Sequence, residues 1–129
     1  MTELETGSLN PEELECVFGN LPFEVTFADA RGIVRFYNSP PDMVFARSKD
    51  ILGRSVLECH SEKSRPEVER VLRDLESGKL DVVEFVNPVR GRVMHIRYIA
   101  ARDCAGAYLG CLEVAQDITR IKTLEPGGE

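Results

Sequence analysis

Apolar and polar positions change rhythm several times along the chain, and each change marks an element. Residues 1–9 hold no sustained period and read as a disordered N-terminus. Asn10-Pro11-Glu12-Glu13 then has the form of a helix start: Asn10 can cap, Pro11 suits the first helical position, and Glu13 can close a capping box. Leu14, Val17 and Phe18 follow at i, i+3, i+4 on one face, and Gly19-Asn20 stops the helix, which occupies 10–20. Phe23 to Ala28 and Ile33 to Tyr37 are rich in strand formers and flank the turn Asp29-Ala30-Arg31-Gly32, predicting a β-hairpin. Asn38-Ser39-Pro40-Pro41-Asp42 breaks that pattern, and short helical stretches are expected at Met43–Ala46 and Lys49–Leu52.

The strongest helical period follows. Ser64-Arg65-Pro66-Glu67 reads as a capping box, Val68, Val71, Leu72 and Leu75 repeat at i, i+3, i+4, i+7, and Gly78 supplies a left-handed stop. The period then falls to two. Leu80–Val86, Arg92–Ala101 and Tyr108–Gln116 are strands separated by turns at Asn87–Gly91 and Asp103–Ala107, and Leu124–Glu129 is a frayed tail. Two strands, a helical middle and three strands make an α+β domain: a five-stranded antiparallel sheet with helices over one face and a cleft between the layers.

Composition narrows this picture without changing it. With 129 residues, 43% apolar and 29% charged, the chain suits one ordinary globular domain able to bury its own core. A net charge of −6 argues against broad nucleic-acid binding. Cys16, Cys59, Cys104 and Cys111 include no C-x-x-C pair and read as reduced thiols of a cytoplasmic protein. No apolar run approaches the roughly 20 residues that cross a bilayer, and the acidic start does not resemble a signal peptide. Nucleophile elbows, phosphate loops and His-Glu-x-x-His motifs are lacking, so no enzyme is expected.

Several local motifs then resemble the PAS family: Asn20-Leu21-Pro22 at the entry, Tyr37-Asn38 closing the first hairpin, Gly53-Arg54-Ser55-Val56 before the long helix, and Tyr108-Leu109-Gly110 through Asp117-Ile118-Thr119 at the end. Cys59-His60-Ser61-Glu62-Lys63-Ser64, Glu84-Phe85 and His95-Ile96-Arg97-Tyr98 resemble more narrowly the C-terminal PAS subgroup of DUF438 proteins, with Ser61 and Val86 departing from the proline and aromatic often found there. The resemblance implies a PAS domain over 21–119, followed at 120–129 by a short tail or the start of a signalling helix. It implies a sensory module that binds a small apolar ligand, with haem the leading candidate, and passes the signal through the final strand. The alternative is a ligand-free module for protein–protein interaction and dimerisation.

The resemblance also assigns candidate residues. His60 lies where PAS oxygen sensors place a haem-ligating histidine, so its imidazole can either hold iron or fix the loop by bonding a carbonyl. Side chains alternate along the long strand, so Met94, Ile96 and Tyr98 face the cleft while Val93, His95, Arg97 and Ile99 face outward. Phe27, Met43, Phe45, Leu52, Val56, Val71, Leu72 and Phe85 complete the expected lining, and Arg47 and Arg54 are candidates for ligand carboxylates. Leu14, Val17, Phe18, Val93 and Ile99 form a candidate homodimer interface. Asp117 and Thr119, where Thr119 would cap a helix, are the expected output point toward an unknown downstream protein.

Overall fold

The computed structural model describes residues 1–127. Two short strands, β1 (Thr2–Leu4) and β2 (Gly7–Leu9), pair antiparallel at the N-terminus, where the sequence pattern had suggested disorder. Their side chains are exposed, which is why no apolar period betrays them. Helix α1 (Pro11–Gly19) begins with the expected capping box: the Asn10 carboxamide oxygen accepts from Glu13 N at 2.8 Å, and Glu13 accepts from Asn10 N at 2.9 Å.

Strands β3 (Glu24–Asp29), β4 (Val34–Tyr37), β5 (Val82–Val89), β6 (Arg92–Arg102) and β7 (Tyr108–Asp117) form one antiparallel sheet in the order β4-β3-β7-β6-β5. The turn expected at Asn87–Gly91 shrinks to Arg90-Gly91, which both take positive φ, as a two-residue hairpin with sheet-matched twist requires. Pro88 therefore lies inside β5. It is tolerated because β5 is an edge strand.

Helix α2 (Arg65–Ser77) crosses one face of the sheet, burying Val68, Val71 and Leu75, and ends at Gly78 with φ 83°. Its entry differs from the expected capping box. Ser64 is already helical, at φ −87° and ψ −18°, and its hydroxyl caps nothing. Ser61 O accepts from Ser64 N and Arg65 N, so the chain enters α2 through a preceding turn that leaves Ser64 no extended conformation to cap from.

The inner face carries Met94, Ile96 and Tyr98 of β6 opposite Asp117, Ala115 and Glu113 of β7, and Thr26 and Ala28 of β3 opposite Glu113 and Cys111. Met94 and Leu75 are wholly buried there. A second buried group, Ala28, Val34 and Val56, lies under a short 3₁₀ turn at Val56–Cys59. Another 3₁₀ turn spans Lys49–Ile51, as expected, but Met43–Ala46 forms no helix. The amides of Val44 and Phe45 donate instead to the Glu24 carboxylate at 2.8 and 2.7 Å, and Arg90 donates to Val44 O, so this loop is clamped to the sheet from two sides.

At the end of the sheet, Asp117 accepts from Thr119 N, and the Thr119 hydroxyl accepts from Val93 N at 2.8 Å. Thr119 thus closes the β6–β7 seam rather than capping a long helix, and only a 3₁₀ turn at Ile121–Thr123 follows. The expected tail at 124–129 has no regular structure through 127; its last two residues lie outside the described residues.

Candidate functional site

Between α2, the 57–64 loop and strands β5–β7 lies a cleft of about 620 Å³. This is the size class of small-molecule sites. Phe85, Val83 and Val89 line it from the inward positions of β5, Ile96 and Tyr98 from β6, and Val68 and Val71 from α2. Those are the residues that a period of two in the strands and of 3.6 in the helix directs inward.

Glu113 rises from β7 into the floor of this cleft, although no motif had singled it out. Its carboxylate is nine-tenths buried. Oε1 accepts from Arg47 Nη2 at 3.1 Å, and Oε2 lies 3.5 Å from His60 Nε2. That second separation is a close approach without hydrogen-bond geometry: neither Glu113 Oε2 nor His60 Nε2 has a hydrogen-bond partner among the described residues, and nor does Arg47 Nε. Burial alone would raise the Glu113 pKa, but His60 and then Arg47 outweigh it and hold the carboxyl below its ordinary value, so it is ionised at neutral pH. The reverse holds for Tyr98, whose ring centroid is 6.5 Å from that of His60. Burial first, and the adjacent Glu113 charge second, keep its phenol protonated and a donor. Burial likewise raises the Cys59 thiol at the rim, and pushes the Cys111 thiol up to about 12.

Each arm of the site is fixed by backbone chemistry. His60 ends the Val56–Cys59 turn with its N–H on Leu57 O, and Arg65 Nε donates to the carbonyls of Leu57 and His60 at 3.1 and 3.3 Å. Arg47 Nη1 donates to Phe45 O at 3.3 Å, in the loop clamped by Glu24 and Arg90.

His60, Phe45, Val71, Phe85, Ile96 and Tyr98 meet in the cleft as expected, and Arg47 joins them. The remaining candidates lie elsewhere. Phe27 is on the opposite face, in register with Phe36 and Leu112, because Thr26 and Ala28 take the inward positions of β3. Small side chains are required there, since Val56 packs directly over Ala28. The Phe27 ring instead reaches across Gly110, where a Cβ would lie 2.9 Å from it and 2.1 Å from Ala28 O. Met94 and Val56 are packed core, and Leu72 bridges the two buried groups beside the cleft. Met43 is half-buried outside the cleft, displaced because the loop turns Val44 into the core in its place. Leu52 is exposed, and Arg54, also exposed, pairs with Glu58 at 3.4 Å instead of reaching the cleft.

Glu113 did leave a signal. It is the single charge inside the apolar run Cys111–Ala115, at the same alternation as the inward Cys111. Asn38 left a weaker one and proved structural. Buried at the end of β4, it accepts from Val25 N at 2.7 Å and donates to Phe18 O and Phe23 O at 2.9 Å, tying α1 to the sheet.

A five-stranded antiparallel sheet with β3 and β7 paired at its centre, and one face covered by a helix and 3₁₀ turns around a cleft, defines a small α+β domain of the ligand-pocket type. The chain belongs to the PAS family: the family model described as "PAS domain" matches residues 14–119. The C-terminal domain of a Streptococcus mutans protein is similar at 33% identity over 96% of both chains, with a TM-score of 0.87. The PAS domain of Bordetella pertussis BvgS, at 19% identity over 84% of this chain and 85% of its own, has a TM-score of 0.65. Vibrio cholerae VqmA, described as a dimer, shares 21% identity over 93% of this chain and 56% of its own, with a TM-score of 0.66. No curated protein matches the chain.

Proposed function

We propose that this chain is a cytoplasmic sensory module, and that it receives a small molecule in the cleft between the sheet and α2. One observation carries this reading. Three buried polar atoms of three different residues, Arg47 Nε, His60 Nε2 and Glu113 Oε2, converge without partners on the floor of an otherwise largely apolar hollow. A core that served stability alone would not keep them, because each unmet buried polar atom costs about 1–3 kcal/mol. The output would run along β7 to Asp117 and Thr119, where the hydroxyl of Thr119 joins the end of β7 to β6. Binding rather than catalysis is the activity proposed.

The residues do not fit haem. His60 Nε2, the nitrogen that would ligate iron, faces a carboxylate 3.5 Å away, and Arg47 already neutralises that carboxylate. Ligation would require withdrawing the imidazole and burying a less compensated charge. The test is native mass spectrometry and an absorption spectrum of freshly purified protein. A non-covalent adduct of small mass without a Soret band is expected. A Soret band abolished by His60→Ala would reinstate haem, and an adduct-free protein that takes up no small molecule would overturn the reading.

A second reading, dimerisation, is favoured by one feature of the other face. Val17 is 47% exposed on α1, next to Phe18, whose ring packs edge-on against Phe36 at 5.1 Å. Leu14, Val17 and Phe18 with Val93 and Ile99 would then form a homodimer surface. Sedimentation of Val17→Asp against the unaltered chain tests it: a dimer that falls to monomer supports the surface, and an unchanged sedimentation coefficient removes it.

A further inference from the structure

The three unpartnered atoms differ in kind, and the difference specifies what would satisfy them. Ionised Glu113 offers Oε2 as an acceptor only, whereas Arg47 Nε–H is a donor only. His60 Nε2 supplies either role according to its tautomer. A molecule meeting Glu113 and Arg47 together must therefore bring a donor and an acceptor side by side. Charge sets a second condition. Arg47 and Glu113 pair at 3.1 Å with side chains only 12% and 10% exposed, so the floor is already neutral. A ligand anion would place a second negative charge beside Glu113, and a ligand cation a second positive charge beside Arg47, each in a site that water screens poorly. Shape sets a third. Phe45, Phe85 and Tyr98 wall the cleft, the last two with centroids 6.2 Å apart and planes tilted by 35°, which favours a flat ring over a branched chain.

Resting on the ligand-binding reading above, we infer that the cleft selects a neutral, flat ring presenting a hydrogen-bond donor beside an acceptor on one edge, as cyclic amides do. The ring N–H donates to Glu113 Oε2, and the adjacent carbonyl accepts from Arg47 Nε. No proton or covalent bond changes hands.

Four probes of one size test this on the full chain by amide NMR titration: quinolin-2-one, naphthalene-2-carboxylate, naphthalen-2-ylmethylammonium and naphthalene. Quinolin-2-one is expected to shift the amides of His60, Ile96 and Glu113 and to bind about tenfold or more tightly than the other three, the discrimination of one well-made buried hydrogen bond to a charge. Glu113→Gln leaves Arg47 unbalanced and should invert the order in favour of the carboxylate. Arg47→Gln should invert it toward the ammonium, and serves if the first variant does not fold. A merely structural role for the pair would not reverse selectivity by sign of charge. If either charged probe or naphthalene equals quinolin-2-one on the unaltered chain, the inference fails while ligand binding in the cleft stands. If no probe shifts cleft amides, the ligand-binding reading itself fails.

Discussion

The two faces of the sheet each carry a histidine beside a glutamate, and the pairs could hardly differ more in consequence. On the outer face His95 Nε2 lies 2.7 Å from Glu84 Oε2, at ideal distance, with Glu84 60% exposed. On the inner face His60 Nε2 stands 3.5 Å from Glu113 Oε2, too far for a good hydrogen bond, with both side chains about nine-tenths buried or close to it. Distance alone would rank the outer pair first. Burial reverses the ranking, because water screens the outer pair and the inner charges have only each other and Arg47. An exposed pair can be lost at little cost. A buried one commits the fold to its charges and leaves specific atoms waiting for a partner.

The contrast is broken or sharpened most strongly by Glu113→Ala, which leaves Arg47 buried without its counter-charge. The expected loss is about 3–5 kcal/mol of unfolding free energy in urea. Glu84→Ala on the other face should cost less than about 1 kcal/mol in the same measurement. Equal losses would mean that burial does not separate the two pairs. Next in size is Met94→Ala, which opens a cavity under α2 at a wholly buried position. It should cost about 2–5 kcal/mol, against no more than about 0.5 kcal/mol for Val86→Ala on the exposed side of β5.

Acid should discriminate as well. Because the folded-state pKa of Glu113 is lowered, its contribution is complete above the ordinary value of 4.5 and is lost as pH falls through the lower folded value. Stability measured from pH 6 downward should therefore fall less steeply below pH 4.5 in Glu113→Gln than in the unaltered chain. Glu84→Gln should leave more of that slope in place. The smallest effect is expected at the seam below both faces. Thr119→Val removes the hydroxyl that accepts from Val93 N, and should lower stability by about 0.5–1.5 kcal/mol. Faster amide exchange at Val93 would locate the change there.

How much of this was legible in the sequence differs by element. The inward set Met94, Ile96, Tyr98 could be read directly, because a strand alternates strictly and polar His95 and Arg97 mark the other side. The same rule failed at β3. Val25 and Phe27 are the larger apolar residues and would be placed inside, yet Thr26 and Ala28 point inward because the space under Val56 admits only small side chains. Met43–Ala46 failed for a different reason. Its amides were taken by Glu24, twenty residues away in sequence, and no local propensity records such a partner.

The sequence by itself determined the element order, the capping of α1, the stop of α2 at Gly78 and the face of β6 that turns inward. Each depends on neighbours within a few residues, whose sterics and hydrogen bonds act along the chain. Only the tertiary structure decided that Glu113, Arg47 and His60 share one buried floor. They stand 53 and 66 positions from Glu113 along the chain, and charges meet at that separation only when β7, the 57–64 loop and the clamped 43–47 segment close on a common cleft that excludes water.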